Sequence, residues 1–274
     1  KYLLLTQLKK PYSYLVPYYL FPQDISVYDA STGELVRQIA DLPLAENIPT
    51  GFDAVRAGPR YVSWRSDRPA SVYWVEALDE GDPRMEVTNR DQMFHLDAPF
   101  SGTPQKSIAL TYRFAGVDWH SDELAVVRER WRATRMNIES FWSPGKGAGS
   151  KVVFHKGSSE DRYNDPGSFV TSSNDAGHRI LLTDKSGNLF LEGQGASPEG
   201  DRPFLDEYNR SKGQTTRLWR SEAPYYANPT SILDPDNGIF IMSRESPKEV
   251  PNYYLSNWKS DRMVGLTDFE NPYK

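Results

Sequence analysis

Apolar and polar residues alternate along this chain in many short runs, and long stretches at the helical period are scarce. The clearest pattern lies in residues 168–222. There, apolar or β-prone runs at 168–171, 179–183, 188–191, 204–208 and 215–219 are separated by Asn174-Asp175-Ala176-Gly177, Asp184-Lys185-Ser186-Gly187 and Ser211-Lys212-Gly213. Gly, Asn and Asp tolerate the positive φ of tight turns, so the stretch predicts one small antiparallel sheet. Near the start, residues 2–8 and 13–20 read as strands. Residues 24–42 read as a hairpin about Ser31-Thr32-Gly33, with Val27, Leu35 and Ile39 pointing inward.

The pattern repeats. Segments starting at Arg60, Ala115, Ser168 and Asn228 each combine a short strand, a turn rich in Asp, Ser, Asn, Gly or Pro, and a strongly apolar strand: 72–75, 124–127, 180–182 and 239–242. A second hairpin of similar form follows within each unit. A period of roughly 40 to 60 residues with about four strands per unit is the mark of a β-propeller. The expected fold is therefore all-β, a β-propeller with about five four-stranded blades in this chain. The units fall at about 1–45, 50–112, 113–160, 165–222 and 226–270. The chain opens inside what reads as a broken unit, which favours further blades outside it.

Composition narrows the function classes. Lys plus Arg number 32 against 37 Asp plus Glu, for a net charge of −5, and the clustered basic surface of a nucleic-acid binder is not evident. No run approaches the roughly 20 apolar residues of a membrane helix. With no cysteine, disulfides, thiolate nucleophiles and Cys-ligated zinc are excluded. His95, His120, His155 and His178 form no HxH or HExxH pair, so neither a metal nor a cofactor is expected.

Three segments invite chemical inspection. Gly195-Ala196-Ser197-Pro198-Glu199 begins like a G-x-S-x-G nucleophile elbow. The elbow's oxyanion hole uses the N–H of the residue after the serine, which Pro198 lacks, so Ser197 is not a nucleophile and no catalytic residue is assigned. Gly145 to Ser150 lacks the order of a phosphate-binding loop and reads as a hairpin tip. Asp234-Pro235-Asp236-Asn237-Gly238 reads as a turn rather than a calcium loop. Between strands, Arg162, Arg202 and Arg244 each stand beside acidic residues, among them Glu199 and Glu245. Such arginines either pin loops to neighbouring carboxylates or present a fork to a ligand carboxylate, and the five residues are the candidate substrate-binding set. The Trp, Tyr and Phe clusters read mainly as blade packing.

Four long segments, residues 43–84, 158–167, 195–206 and 244–255, resemble the N-terminal propeller of the prolyl oligopeptidase superfamily of serine peptidases, most closely its glutamyl endopeptidase branch. The resemblance implies a seven- or eight-bladed propeller capping an α/β-hydrolase domain that carries the Ser, Asp and His of the triad. It also implies that entry is restricted to short or unfolded peptides, with cleavage after Glu in that branch. No G-x-S-x-G occurs in this chain, so the triad has no counterpart here. The expected function is that of a non-catalytic propeller portion serving a hydrolase domain of the parent chain and its peptide substrates. The alternative is a stand-alone interaction propeller binding a protein or peptide. On family grounds alone the location leans to the periplasm.

Overall fold

The computed structural model describes residues 1–260 and 262–272; Asp261, in the last expected hairpin, lies outside the described residues. The chain divides into two compact units, Lys1–Ser159 and Glu160–Lys274. No helix among the described residues is long and apolar enough to cross a membrane.

The first unit holds three antiparallel meanders. One contains β1 (Tyr2–Leu8), β2 (Gln23–Asp29) and β3 (Leu35–Leu42). The next contains β4 (Arg60–Trp64), β5 (Ser71–Ala77), β6 (Asp91–Asp97) and β7 (Gln105–Leu110). The third contains β8 (Arg113–Ser121), β9 (Leu124–Trp131), β10 (Met136–Trp142) and β11 (Val152–Ser158). The β2–β3 turn forms as its residues dictate: Asp29 Oδ1 accepts the Ser31 N–H at 2.8 Å, and Gly33 takes φ +74°. The expectation of a strand over 13–20 is overturned. This segment is an irregular loop ending in a single 3₁₀ turn, Tyr18–Leu20, because Pro11, Pro17 and Pro22 lack the N–H groups a ladder needs.

Period-two alternation aims opposite faces of the second meander at two different neighbours. Val72 and Trp74 of β5, with Leu96 and Phe100, pack on Val27 and Leu4 of the first meander. Val75, Met93, Ile108 and Leu110 pack on Phe114, Trp119, Ala125, Val127 and Trp142 of the third. A sheet buried on both faces explains the unbroken apolar run Val72–Val75 in its central strand β5.

The second unit holds β12 (Ser168–Phe169), β13 (Thr171–Ser173), β14 (Arg179–Leu181), β15 (Leu189–Gly193), β16 (Ala196–Ser197), β17 (Gly200–Asp201), β18 (Phe204–Asn209) and β19 (Gln214–Arg220). After them come β20 (Tyr226–Asp234), β21 (Ile239–Ser246), β22 (Glu249–Asn257) and β23 (Arg262–Gly265). The order β12-β15-β18-β19 makes one meander and β20-β21-β22-β23 the next. Here the single five-run sheet expected over 168–222 is corrected. Most of the 179–183 run stays out of the meander: β14 pairs with β13 in a separate ribbon, only Thr183 makes an isolated bridge to Leu189, and β12 pairs directly with β15. The cause is local: Asn174 Oδ1 accepts the N–H groups of Ala176 and His178, closing a tight turn that folds the run back on its own predecessor. Leu189–Gly193, not 180–182, is therefore the second strand of this unit. Val170, Phe190 and Leu205 of one meander meet Ile232 and Trp258 of the next, whose own buried residues are Ala227, Phe240 and Met242.

Within each compact unit, successive antiparallel meanders pack face to face, the arrangement of blades in a β-propeller. The first meander has three strands and the other four have four.

Candidate functional site

The most diagnostic loop of the sequence builds a small hairpin at the end of β15. Gly195 turns the chain at φ +59°, its carbonyl accepts the Arg202 N–H at 3.0 Å, and β16 pairs with β17 across the Pro198-Glu199 tip. A methyl group on Gly195 would lie 2.2 Å from the Arg202 carbonyl oxygen, so only glycine fits. The hairpin is anchored by buried Phe204, whose ring packs against Gly167, Gly193 and Gly195, with the Arg217 guanidinium 4.3 Å from its centroid.

Arg162, Glu199 and Arg202 converge on this hairpin. Arg162 Nη2 donates to both carboxylate oxygens of Asp201, at 3.0 and 2.9 Å, and the pair is open to solvent. Arg202 Nε donates to the Ser221 carbonyl at 3.2 Å, tying the hairpin base to the residue after β19. Glu199 stands exposed at the tip, its Oε2 3.0 Å from Ser197 Oγ; the same hydroxyl lies 2.7 Å from the Gly200 carbonyl.

Arg244 and Glu245 lie elsewhere, on β21, opposite Ala227 and Tyr226 of β20. The Arg244 guanidinium is stacked between two rings, 4.0 Å from the Tyr225 centroid and 4.5 Å from that of Tyr254. Its Nη2 donates to Tyr254 Oη at 3.3 Å and approaches Glu249 Oε2 at 3.8 Å. Glu245 is half-buried. The link between the two groups is Tyr226, whose hydroxyl donates to Gln194 Oε1 at 2.9 Å at the base of the hairpin.

Beside that link opens a polar pocket of about 290 Å³, lined by Asp165, Ser168, Glu192, Gln194 and Asn228 together with Gly167, Gly193 and Pro229. Partial desolvation pushes the Glu192 carboxyl above the usual range, while the charge of Arg179 works against the shift. The pocket can receive a donor-rich group, and the exposed Arg162, paired with Asp201 on the hairpin, can exchange carboxylate partners. Asp201 lies in the acid-and-arginine segment before Phe204 but is not in the candidate set, and Tyr225 reads from the sequence as blade packing. Tyr254 carries no local signal, since aromatic residues near an arginine are common along this chain.

Aligned across its whole length, the chain is 37% identical to "Probable glutamyl endopeptidase, chloroplastic" of Oryza sativa subsp. japonica, and 37% identical to the protein of the same name in Arabidopsis thaliana. The chain is similar throughout to the glutamyl endopeptidases. This is the likeness that residues 43–84 and 195–206 carry. The glutamyl endopeptidase-like chain spans 31% and 30% of the length of these two curated relatives. No protein-family model matches it. Among solved structures, it resembles dipeptidyl peptidase 4 of Porphyromonas gingivalis at 11% identity and a TM-score of 0.44, covering 89% of this chain and 42% of that one.

Proposed function

We propose that the chain is the non-catalytic propeller portion of a glutamyl endopeptidase-like serine peptidase, limiting access to an α/β-hydrolase domain of the parent and contributing to peptide selection. The observation that carries this is the whole-length match to about three-tenths of proteins named as glutamyl endopeptidases. The division into five units along the chain, each one blade, belongs to the same proposal.

The hairpin chemistry supports acidic peptides as the selected class. An exposed ion pair such as Arg162–Asp201 contributes only about 0.2–1 kcal/mol, so a substrate carboxylate displaces Asp201 at small cost. Arg162 is the residue that meets the acidic group; Arg202 holds the hairpin that presents it, and Arg244 stiffens the adjoining sheet. The test is made in the full-length parent. Arg162→Ala should lower kcat/KM for a Glu-containing peptide several-fold more than for its Gln counterpart. An unchanged Glu-to-Gln ratio would leave Arg162 a loop pin and remove it from selection.

A further inference from the structure

The first unit carries a larger cavity, of about 670 Å³, between the first two meanders and the loop that joins them. Its wall is mostly apolar, with Ile25, Leu42, Ile48, Val55 and Val62 contributing, but two guanidinium groups reach it, Arg56 and Arg60. They differ in their partners. Arg60 Nη2 lies 2.6 Å from Asp91 Oδ1 and is neutralised there. Arg56 has no carboxylate within ion-pair distance among the described residues. Its Nη2 donates to the Pro43 carbonyl at 2.7 Å and its Nη1 to the Tyr19 carbonyl at 3.3 Å, while Nε is buried without a hydrogen-bond partner.

Arg56 is half-buried, and even partial removal of an ion from water has a cost that neutral carbonyls offset only in part, which a counter-ion would relieve. Burial accordingly works against the charged form of Arg56. A backbone outlier lies at the same place: Tyr61, which also lines the cavity, is held at φ +56°, a conformation rarely tolerated by an aromatic residue and one that clusters at ligand sites. Its ring is half-exposed and meets Phe114 edge-on at 5.2 Å.

We propose that this cavity binds a carboxylate carried on an apolar stem, with Arg56 as its counter-ion and Tyr61 at its edge. The stem fills the apolar wall, and the carboxylate takes the unspent donor capacity of the Arg56 fork. That chemistry is supplied either by a free apolar acid or by a peptide with an acidic side chain beside an apolar one. The proposal does not rest on the peptidase assignment and stands or falls with binding by the chain itself.

Calorimetric titration of the 274-residue chain with 4-phenylbutyrate, with 4-phenylbutyramide, and with the capped dipeptides acetyl-Phe-Glu-amide and acetyl-Phe-Gln-amide tests it. At least one acid should bind about tenfold or more tighter than its amide, as expected for a charge-assisted fork. Arg56→Gln, with an unchanged circular dichroism spectrum, should reduce the acid to the level of the amide, and Arg56→Lys should restore part of the difference. Binding of the dipeptide acid identifies a peptide ligand, and binding of phenylbutyrate alone a small-molecule one. Ile48→Trp, which fills the cavity and leaves Arg56 in place, should abolish binding of either. Equal affinity for acid and amide, no binding of either acid at millimolar concentration, or acid binding that survives Arg56→Gln in folded protein would overturn the proposal.

Discussion

Arg113 donates from Nη2 to Asp79 Oδ2 at 2.8 Å, and both side chains are almost sealed from water, 6% and 0% exposed. The same guanidinium donates from Nη1 to Asp91 at 3.0 Å and from Nε to the Asp53 carbonyl at 2.8 Å, while Arg90 and Arg60 complete the neutralisation of the two aspartates. One side chain from β8 thus holds the loop after β5, the start of β6 and the loop before β4. Replacing it leaves each buried carboxylate a single cation, Asp79 with Arg90 and Asp91 with Arg60, and removes a charge-assisted hydrogen bond from both. Arg113→Leu should cost about 1–3 kcal/mol, the range for buried acceptors that lose a partner. Chemical denaturation checks this; a loss below about 1 kcal/mol would mean that water or Arg90 takes over.

The stacked Arg244 predicts a gentler effect with a particular chemistry. A lysine keeps the charge but cannot present a planar face to both Tyr225 and Tyr254. Arg244→Lys should therefore lose about 0.5–2 kcal/mol, approaching the loss of Arg244→Ala, by thermal or chemical unfolding. Full retention of stability by the lysine variant would show that charge, not stacking, is what holds the residue.

Gly195 predicts a local failure. Any side chain there meets the Arg202 carbonyl and must also adopt φ +59°. Gly195→Ala should cost roughly 1–3 kcal/mol. It should also expose the hairpin from Ala196 to Asp201 to proteases. Limited proteolysis with mass mapping reads this out, and an unchanged cleavage pattern would count against the tight fit.

Acid sensitivity should centre on His95. Burial lowers its imidazole pKa below the ordinary 6.5; Arg65 and Arg68 push the same way, and Asp97 and Asp122 oppose them. A histidine depressed in the folded state binds its proton more readily when unfolded. The stability it supports is therefore complete above pH 6.5 and falls as the pH drops through that value. His95 Nδ1 lies 2.7 Å from Ser107 Oγ, a contact that Asn can imitate. Melting temperature measured from pH 8 to pH 5 should fall more steeply for the wild type than for His95→Asn. Parallel curves would place the acid sensitivity elsewhere.

Much of the fold was legible because turn chemistry and period two agree with each other along most of the chain. Asp29, Ser31 and Gly33 specify their hairpin locally, and the strongly apolar run 72–75 is a strand whose two faces both pack on neighbouring meanders. Two segments misled. Residues 13–20 are as apolar as a strand, but the prolines around them deny the ladder its donors. Residues 179–183 carry a strand's composition yet pair within a ribbon, since Asn174 closes a turn whose strength composition alone does not convey. The site residues were partly legible: arginine beside acid in a loop draws the eye to Arg162 and Arg202. The importance of Arg56 was not, because it depends on which carboxylates fail to reach it, a fact created only by the folded chain.

We propose that this chain shapes access to chemistry done by another domain. Its most direct test is incubation of the purified 274-residue chain with a quenched fluorescent peptide containing glutamate, in parallel with labelling by a serine-directed fluorophosphonate. Neither cleavage nor label is expected. Turnover by pure chain that the fluorophosphonate abolishes would contradict it.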